Sequence, residues 1–119
     1  MKSIDLKRLN DEIEKIVCDR DWDQFHSVKN LSMALNVEAS ELMEIFQWMS
    51  EEDSNQIQKD AKKFEALQDE VADVFVYLMR IISKTNIDLE KAVLGKLQKN
   101  IAKYPVESAK GNSKKYNEF

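Results

Sequence analysis

The sequence predicts an all-α protein built as a four-helix bundle. In four segments, apolar residues recur at the three- and four-residue spacing of an amphipathic helix. The 119 residues include two glycines and one proline, which leaves little turn-forming sequence, and no alternating β-branched run indicates a strand. A chain of this length suffices for one hydrophobic core. We therefore expect the helices to pack around a single core and to be joined by short polar links.

The first two helices are separated by a polar link that carries aromatic residues, DRDWDQFHS. Apolar residues continue at helical spacing up to Val17, and Ser3 is a candidate N-cap for the first helix. The second helix begins directly after the link. The sequence predicts these two helices over about residues 3–19 and 28–49.

The third and fourth helices follow a polar break over residues 50–56. Asp88 is a candidate N-cap for the fourth helix, and Pro105 stops it because proline cannot continue a helix. The sequence predicts these helices over about residues 57–84 and 89–103. The folded domain is accordingly predicted to comprise residues 1–104, and residues 105–119 are expected to form a flexible tail.

Charge and composition exclude several classes of partner. The formal net charge is −4, and binding to a phosphate backbone needs a basic face, so nucleic acid is not expected as a partner. The longest apolar run, residues 74–79, is far shorter than a membrane span, and the charged N-terminal segment lacks the apolar core of a signal peptide. Cys18 is the single cysteine, so no internal disulfide can form. We expect a cytoplasmic protein that does not bind membranes.

Two helices carry an acidic residue in the middle of an apolar stripe. At about 100° per residue, Glu38 lies on the same face as Leu35 and Leu42, and Glu41 lies about 60° to one side. The third helix repeats this pattern at an offset of 32 residues, with Glu70 in the stripe and Asp73 beside it. The acidic pairs are therefore expected to point partly into the core.

A short link makes an antiparallel hairpin the default arrangement for the second and third helices. The midpoint between the two acidic pairs falls inside the polar break, so the four carboxylates should lie at one height and face each other. Unpaired buried carboxylates repel and cost several kcal/mol each. A positive group is therefore expected among them, unless each pair lies on a solvated face, as many E-x-x-E sequences do.

The available side chains favour magnesium as that positive group. Lys63 is the one basic residue near the stripe, and it cannot balance four acids. Zinc and iron sites usually draw on histidine or cysteine, and the Glu-x-x-His motif of di-iron bundles is absent. All-oxygen ligands favour Mg²⁺, or Mn²⁺ in its place, and Mg²⁺ commonly binds phosphate oxygens as further ligands. A polyphosphate is thus the expected ligand.

These motifs resemble those of a known family. EASE at residues 38–41 and EVAD at residues 70–73 are similar to the E-x-x-E and E-x-x-D signature of the MazG-like nucleoside triphosphate pyrophosphohydrolases. The flanking sequences RDWDQFH, FQW and KLQKNIAKYP resemble the dCTP pyrophosphatase branch of that superfamily. One departure is that Val37 and Ser40 stand where many relatives carry glycine.

The resemblance implies a four-helix fold that assembles as homodimers or homotetramers and hydrolyses (d)NTP to (d)NMP and pyrophosphate with Mg²⁺. Water is expected to attack the α-phosphorus, and pyrophosphate leaves. By motif match, the catalytic and metal-binding residues are Glu38, Glu41, Glu70 and Asp73.

Two further groups of residues are candidates for substrate binding. Lys96, Asn100 and Lys103 recur along one face of the fourth helix, and the resemblance assigns Lys96, Asn100 and Tyr104 to the phosphate and sugar end. Aromatic rings stack on any base, and the candidate base pocket consists of Trp22, Phe25, His26 and Trp48. Cytosine nucleotides are the first expectation, with dATP and other dNTPs open.

A second apolar ridge on the third helix indicates a further neighbour. Phe64, Val71 and Phe75 belong to it and lie about 120° from the acidic stripe. Either a second subunit covers this ridge, or the first helix and the tail do. The alternative to an enzyme is a non-catalytic helical bundle whose acids dock a basic partner.

Overall fold

The computed structural model describes residues 1–118, and every regular element among them is a helix. The all-α prediction is therefore confirmed. The predicted tail extends one residue further, to Phe119, which lies outside the described residues. The chain divides into two compact units, Met1–Thr85 and a second that begins at Asn86.

The first unit contains four α-helices and two single 3-10 turns. The 3-10 turns are Asp23–Phe25 and Ile57–Lys59. The helices are α1 (Leu6–Asp19), α2 (Val28–Phe46), the short α3 (Glu51–Ser54) and α4 (Ala61–Thr85). The polar break of the sequence thus contains a helical turn, and the third predicted helix begins at residue 61 because a 3-10 turn precedes it.

Side-chain caps explain where these helices begin. Ser3 is not the first cap, because the Asp5 carboxylate accepts a hydrogen bond from the Arg8 amide at 3.0 Å and α1 starts one residue later, at Leu6. The hydroxyl oxygen of Ser27 accepts from the Asn30 amide at 3.1 Å and caps α2. Both caps satisfy amide groups that have no partner inside the helix.

The hairpin of α2 and α4 is antiparallel, as expected from its short link. Arg80, near the end of α4, contacts His26 just before α2 begins. Glu70, nearer the start of α4, lies against Glu38 in the middle of α2. Both α1 and α2 pack on α4. This packing places the two acidic pairs at one height, as the sequence predicted.

The core of the first unit is small. Leu31 is 1% exposed, and Val17, Ile57 and Met79 are also buried. Arg80 is buried with them at 4% exposure. Larger apolar side chains remain open to solvent on α1 and α4, where an apolar groove of about 600 Å³ runs between the two helices.

The second unit consists of α5 (Leu89–Lys103), the short α6 (Val106–Ala109) and a 3-10 turn, Tyr116–Glu118. The bounds of the fourth predicted helix are confirmed, as is its cap, because the Asp88 carboxylate accepts from the Lys91 amide at 3.1 Å. Among the described residues, none of the helices has both the length and the apolar character needed to cross a membrane.

Candidate metal centre

Three carboxylates meet where α2 faces α4. Glu38 and Glu41 lie one turn apart on α2, and Glu70 lies opposite them on α4. One oxygen of each carboxylate lies within 4.8 Å of an oxygen of each of the others. Such a separation suits several oxygen ligands of a single cation.

The environment opposes ionisation of two of these carboxyls, Glu38 and Glu70. Burial, and after it the neighbouring carboxyls of Glu41, Glu70 and Asp73, raise the pKa of Glu38 from an ordinary value of 4.5 to about 7. Burial likewise raises the pKa of Glu70, to which the charges of Glu41 and Asp73 also contribute. Burial is the larger cause of both raised pKa values, and a local excess of negative charge adds to it.

Two oxygens of this trio lack the partners that buried polar atoms normally have. Oε2 of Glu38 and Oε2 of Glu70 are buried, and neither accepts a hydrogen bond from any of the described residues. A divalent cation would satisfy both oxygens and reverse the unfavourable charge balance. The donors are all carboxylates, so they fit a hard cation such as Mg²⁺ or Mn²⁺ better than zinc.

Asp73, the fourth predicted ligand, is placed differently from the other three. It lies one turn after Glu70 on α4, its side chain is exposed, and it is not part of the trio. Its charge still contributes to the raised pKa values of Glu38 and Glu70. The position fits a residue that approaches a cation or substrate from the solvent side.

The candidate aromatic residues of the first unit are accessible. Trp22 is 44% exposed and lies under the Arg20 guanidinium, whose carbon is 5.7 Å from the ring centre. Phe25 is 61% exposed, and Trp48, just beyond α2, is 91% exposed. His26 is half-buried. None of these side chains is committed to the core, so simple packing does not account for them.

The segment with Trp22 and His26 is held by residues that the sequence analysis missed. Arg80 of α4 donates to the Asp23 carboxylate at 2.7 Å and to Nδ1 of His26 at 3.3 Å, and Lys84 donates to Asp23 at 3.1 Å. The available signal was an arginine between Met79 and Ile81 on an otherwise apolar part of the helix.

The remaining candidate residues belong to the second unit. Lys96 and Lys103 are exposed on α5, and Asn100 and Tyr104 are half-buried. The ring of Tyr116 packs edge-on against Tyr104 with 6.3 Å between ring centres, and the Lys103 ammonium lies 4.5 Å from the Tyr116 ring centre. Part of the predicted tail therefore folds against the end of α5.

The fold and the site together define an all-helical protein with a carboxylate cluster suited to a divalent cation. The chain belongs to the MazG-like family, whose model matches residues 33–119. The resemblance inferred from the acidic motifs is thereby confirmed.

Relatives of known name agree with this assignment. The chain is 38% identical to dCTP pyrophosphatase 1 of Rattus norvegicus over 115 residues, and 38% identical to the Homo sapiens protein of the same name. These matches cover 97% of the chain and 66% of each relative's length. The crystal structure of a pyrophosphatase from Archaeoglobus fulgidus superimposes with a TM-score of 0.77 at 30% identity, covering 88% of this chain and 96% of that one.

Proposed function

We propose that the protein is a nucleoside triphosphate pyrophosphohydrolase that converts (d)NTP to (d)NMP and pyrophosphate with Mg²⁺, and that dCTP or a related dNTP is its substrate. One observation carries this proposal: the trio Glu38, Glu41 and Glu70, with two buried oxygens that lack partners. The names of the relatives support the reaction and the cytosine nucleotide.

Each acidic residue has a defined part in this proposal. Glu38 and Glu70 aim buried oxygens into the site, and Glu41 adds a third carboxylate beside them. Asp73 completes the set from the exposed side. These residues would hold a divalent cation, which would supply positive charge to neutralise the triphosphate and favour attack of water at the α-phosphorus. Mn²⁺ is expected to be able to serve in place of Mg²⁺.

The substrate's base and phosphates are assigned to different residues. Trp22, His26 and Trp48 are proposed to bind the base, because their accessible rings offer stacking faces and a hydrogen-bonding edge. Four side chains are proposed to donate to the phosphates and sugar: Lys96, Asn100, Lys103 and Tyr104.

We also propose that residues 1–104 form a four-helix bundle domain and that it assembles as a homodimer or homotetramer in the cytoplasm. Soluble monomers rarely expose large contiguous apolar surfaces. Here the groove between α1 and α4 is apolar, and Val71 on the predicted second ridge is 51% exposed although α1 packs on the same helix. Light scattering coupled to size exclusion measures the assembly.

A panel of (d)NTPs with Mg²⁺ tests the reaction, scored separately for monophosphate, pyrophosphate and orthophosphate. Wild type should release pyrophosphate, and Glu38→Gln should abolish that release while the protein remains folded. Glu44→Gln is the matched control because Glu44 is exposed on the same helix, outside the trio. Orthophosphate with a diphosphate product would contradict the site of cleavage. Absence of any hydrolysis would favour the non-catalytic bundle.

A further inference from the structure

Arg80 and His26 make a side-chain contact between segments 54 residues apart in sequence. Nε of Arg80 donates to Nδ1 of His26 at 3.3 Å, and the guanidinium Nη2 donates to Asp23 at 2.7 Å. The arginine side chain is 5% exposed, whereas Asp23 is 65% exposed. A buried guanidinium therefore joins α4 to the turn that carries the histidine.

This hydrogen bond fixes the protonation of the imidazole. The Nε–H of arginine is always a donor, because the guanidinium does not deprotonate in proteins. Nδ1 of His26 must then act as the acceptor, and a neutral imidazole carries its proton on the other nitrogen, Nε2. Burial lowers the pKa of His26, the charges of Arg80 and Lys84 lower it further, and Asp23 opposes them. The neutral form is thus favoured at pH 7.

A purely packing role does not explain an arginine at this position. Removing a guanidinium from water is costly, and an apolar residue of similar volume commonly packs with equal or greater stability. Arg80 instead occupies Nδ1 of the His26 ring with a hydrogen bond. Nε2 makes no hydrogen bond to any of residues 1–118, so its N–H remains available.

The position of this contact suits the base end of a nucleotide. Arg80 follows Asp73 by seven residues on α4, which amounts to about 10 Å along the axis and nearly the same face. Its imidazole partner therefore lies about two helical turns from Asp73, the nearest of the acidic residues along α4. Such a separation fits a ligand whose charged chain and planar ring lie at opposite ends.

We propose that Arg80 is a positioning residue that fixes His26 as the neutral tautomer with its proton on Nε2, so that the base of the substrate meets an N–H donor. The inference rests on the function proposed above, in which His26 contacts the base. An Nε2–H donor pairs with a ring carbonyl or unprotonated ring nitrogen, as cytosine offers on its pyrimidine edge. The opposite tautomer would present an acceptor and favour an exocyclic amino group instead.

Nitrogen-15 NMR tests the tautomer directly, because His26 is the single histidine in the chain. Long-range proton–nitrogen correlation on histidine-labelled protein distinguishes a protonated from an unprotonated ring nitrogen. At pH 7 the wild type should show an unprotonated Nδ1 and a protonated Nε2. A proton on Nδ1, averaging between the two nitrogens, or an imidazolium would overturn the inference without requiring any variant to fold.

Variants then test whether Arg80 is responsible. Arg80→Met should release the imidazole to a mixture of tautomers. Lys84→Met is the matched control, because Lys84 binds the same Asp23 carboxylate but makes no hydrogen bond to His26, so this variant should keep the single tautomer. A fixed Nε2–H tautomer in Arg80→Met would exclude arginine as its cause.

Kinetics connect the tautomer to the substrate. Loss of one well-oriented hydrogen bond in Arg80→Met should raise KM for dCTP about 3- to 10-fold, with kcat within about twofold of wild type. In a His26→Ala background the same substitution should add no further increase, because the two residues act as a unit. Equal increases in both backgrounds would refute the coupling.

The two proposals fail in different ways. A wild-type protein that hydrolyses no (d)NTP would refute the proposed function and the substrate part of this inference. The NMR spectrum would still decide whether Arg80 fixes the tautomer. Conversely, an active enzyme with the wrong tautomer would refute only the inference.

Discussion

Replacing Glu38 with glutamine removes a carboxylate whose ionisation is opposed by the folded structure. The pKa of Glu38 rises from 4.5 to about 7, chiefly through burial and then through Glu41. At about 1.4 kcal/mol per pKa unit, this shift corresponds to about 3 kcal/mol. Glu38 is only half-buried, so solvent screening reduces the expected effect on the free energy of unfolding to about 1–2 kcal/mol.

The sign of the effect follows from the direction of that shift. Below pH 4.5 the Glu38 carboxyl is protonated in both the folded and the unfolded chain, and the fold is spared the cost of burying a negative charge. This relative stability is lost as pH rises through about 7, because the carboxyl then ionises inside the folded protein. In metal-free buffer at pH 8, Glu38→Gln should therefore be more stable than wild type by about 1–2 kcal/mol. The difference should vanish towards pH 4.

Metal should reverse the order of stability. Mg²⁺ or Mn²⁺ bound to the folded wild type raises its free energy of unfolding by mass action, and the variant has lost one ligand. Urea denaturation at fixed protein concentration, from pH 4 to pH 8, with chelator or with added metal, measures both effects. Glu44→Gln should follow wild type under all conditions.

Two results would refute this reasoning. The first is a metal-free Glu38→Gln protein that is less stable than wild type at pH 8, because the carboxylate would then be stabilising. The second is equal stabilisation of both proteins by metal, because Glu38 would then not be a ligand.

Three further substitutions probe other parts of the structure. Trp48→Ala should leave the free energy of unfolding within about 0.5 kcal/mol of wild type, because the ring is 91% exposed. The same substitution should weaken dCTP binding by about 1–3 kcal/mol through lost stacking. A large loss of stability in thermal denaturation would contradict this expectation. Leu31→Ala should lower the free energy of unfolding in urea by about 2–5 kcal/mol, because Leu31 is 1% exposed in the core, and a change below 1 kcal/mol would argue against that packing. The bond with Lys84 and, more weakly, the bond with Arg80 lower the pKa of Asp23, so its stabilising contribution is present above pH 3.8 and is lost as pH falls. Asp23→Asn should therefore reduce the loss of folding stability that accompanies acidification. An unchanged acid transition, followed by circular dichroism, would show that these contacts do not stabilise the fold.

Helix positions and the inward direction of two acids follow from local sequence. The bounds of α5 and its Asp88 cap were predicted correctly, and Glu38 and Glu70 are half-buried as their stripes indicated. Both properties depend on residues within a turn or two, because helical periodicity and capping act over that distance. The same locality explains the error at Ser3: Asp5 stands two residues away and is an equally good cap.

Contacts between distant segments were decided only by the tertiary structure. The sequence marks Arg80 as an arginine in an apolar stretch, but it does not identify its partners. Asp23 and His26 lie 57 and 54 residues away, and the pairing depends on how α4 packs against the start of α2. The sequence also grouped Asp73 with the other three acids, and only the structure shows that its exposed side chain lies outside the trio. Periodicity determines which face of a helix a residue occupies. The packing of helices against one another determines which side chains that face contacts.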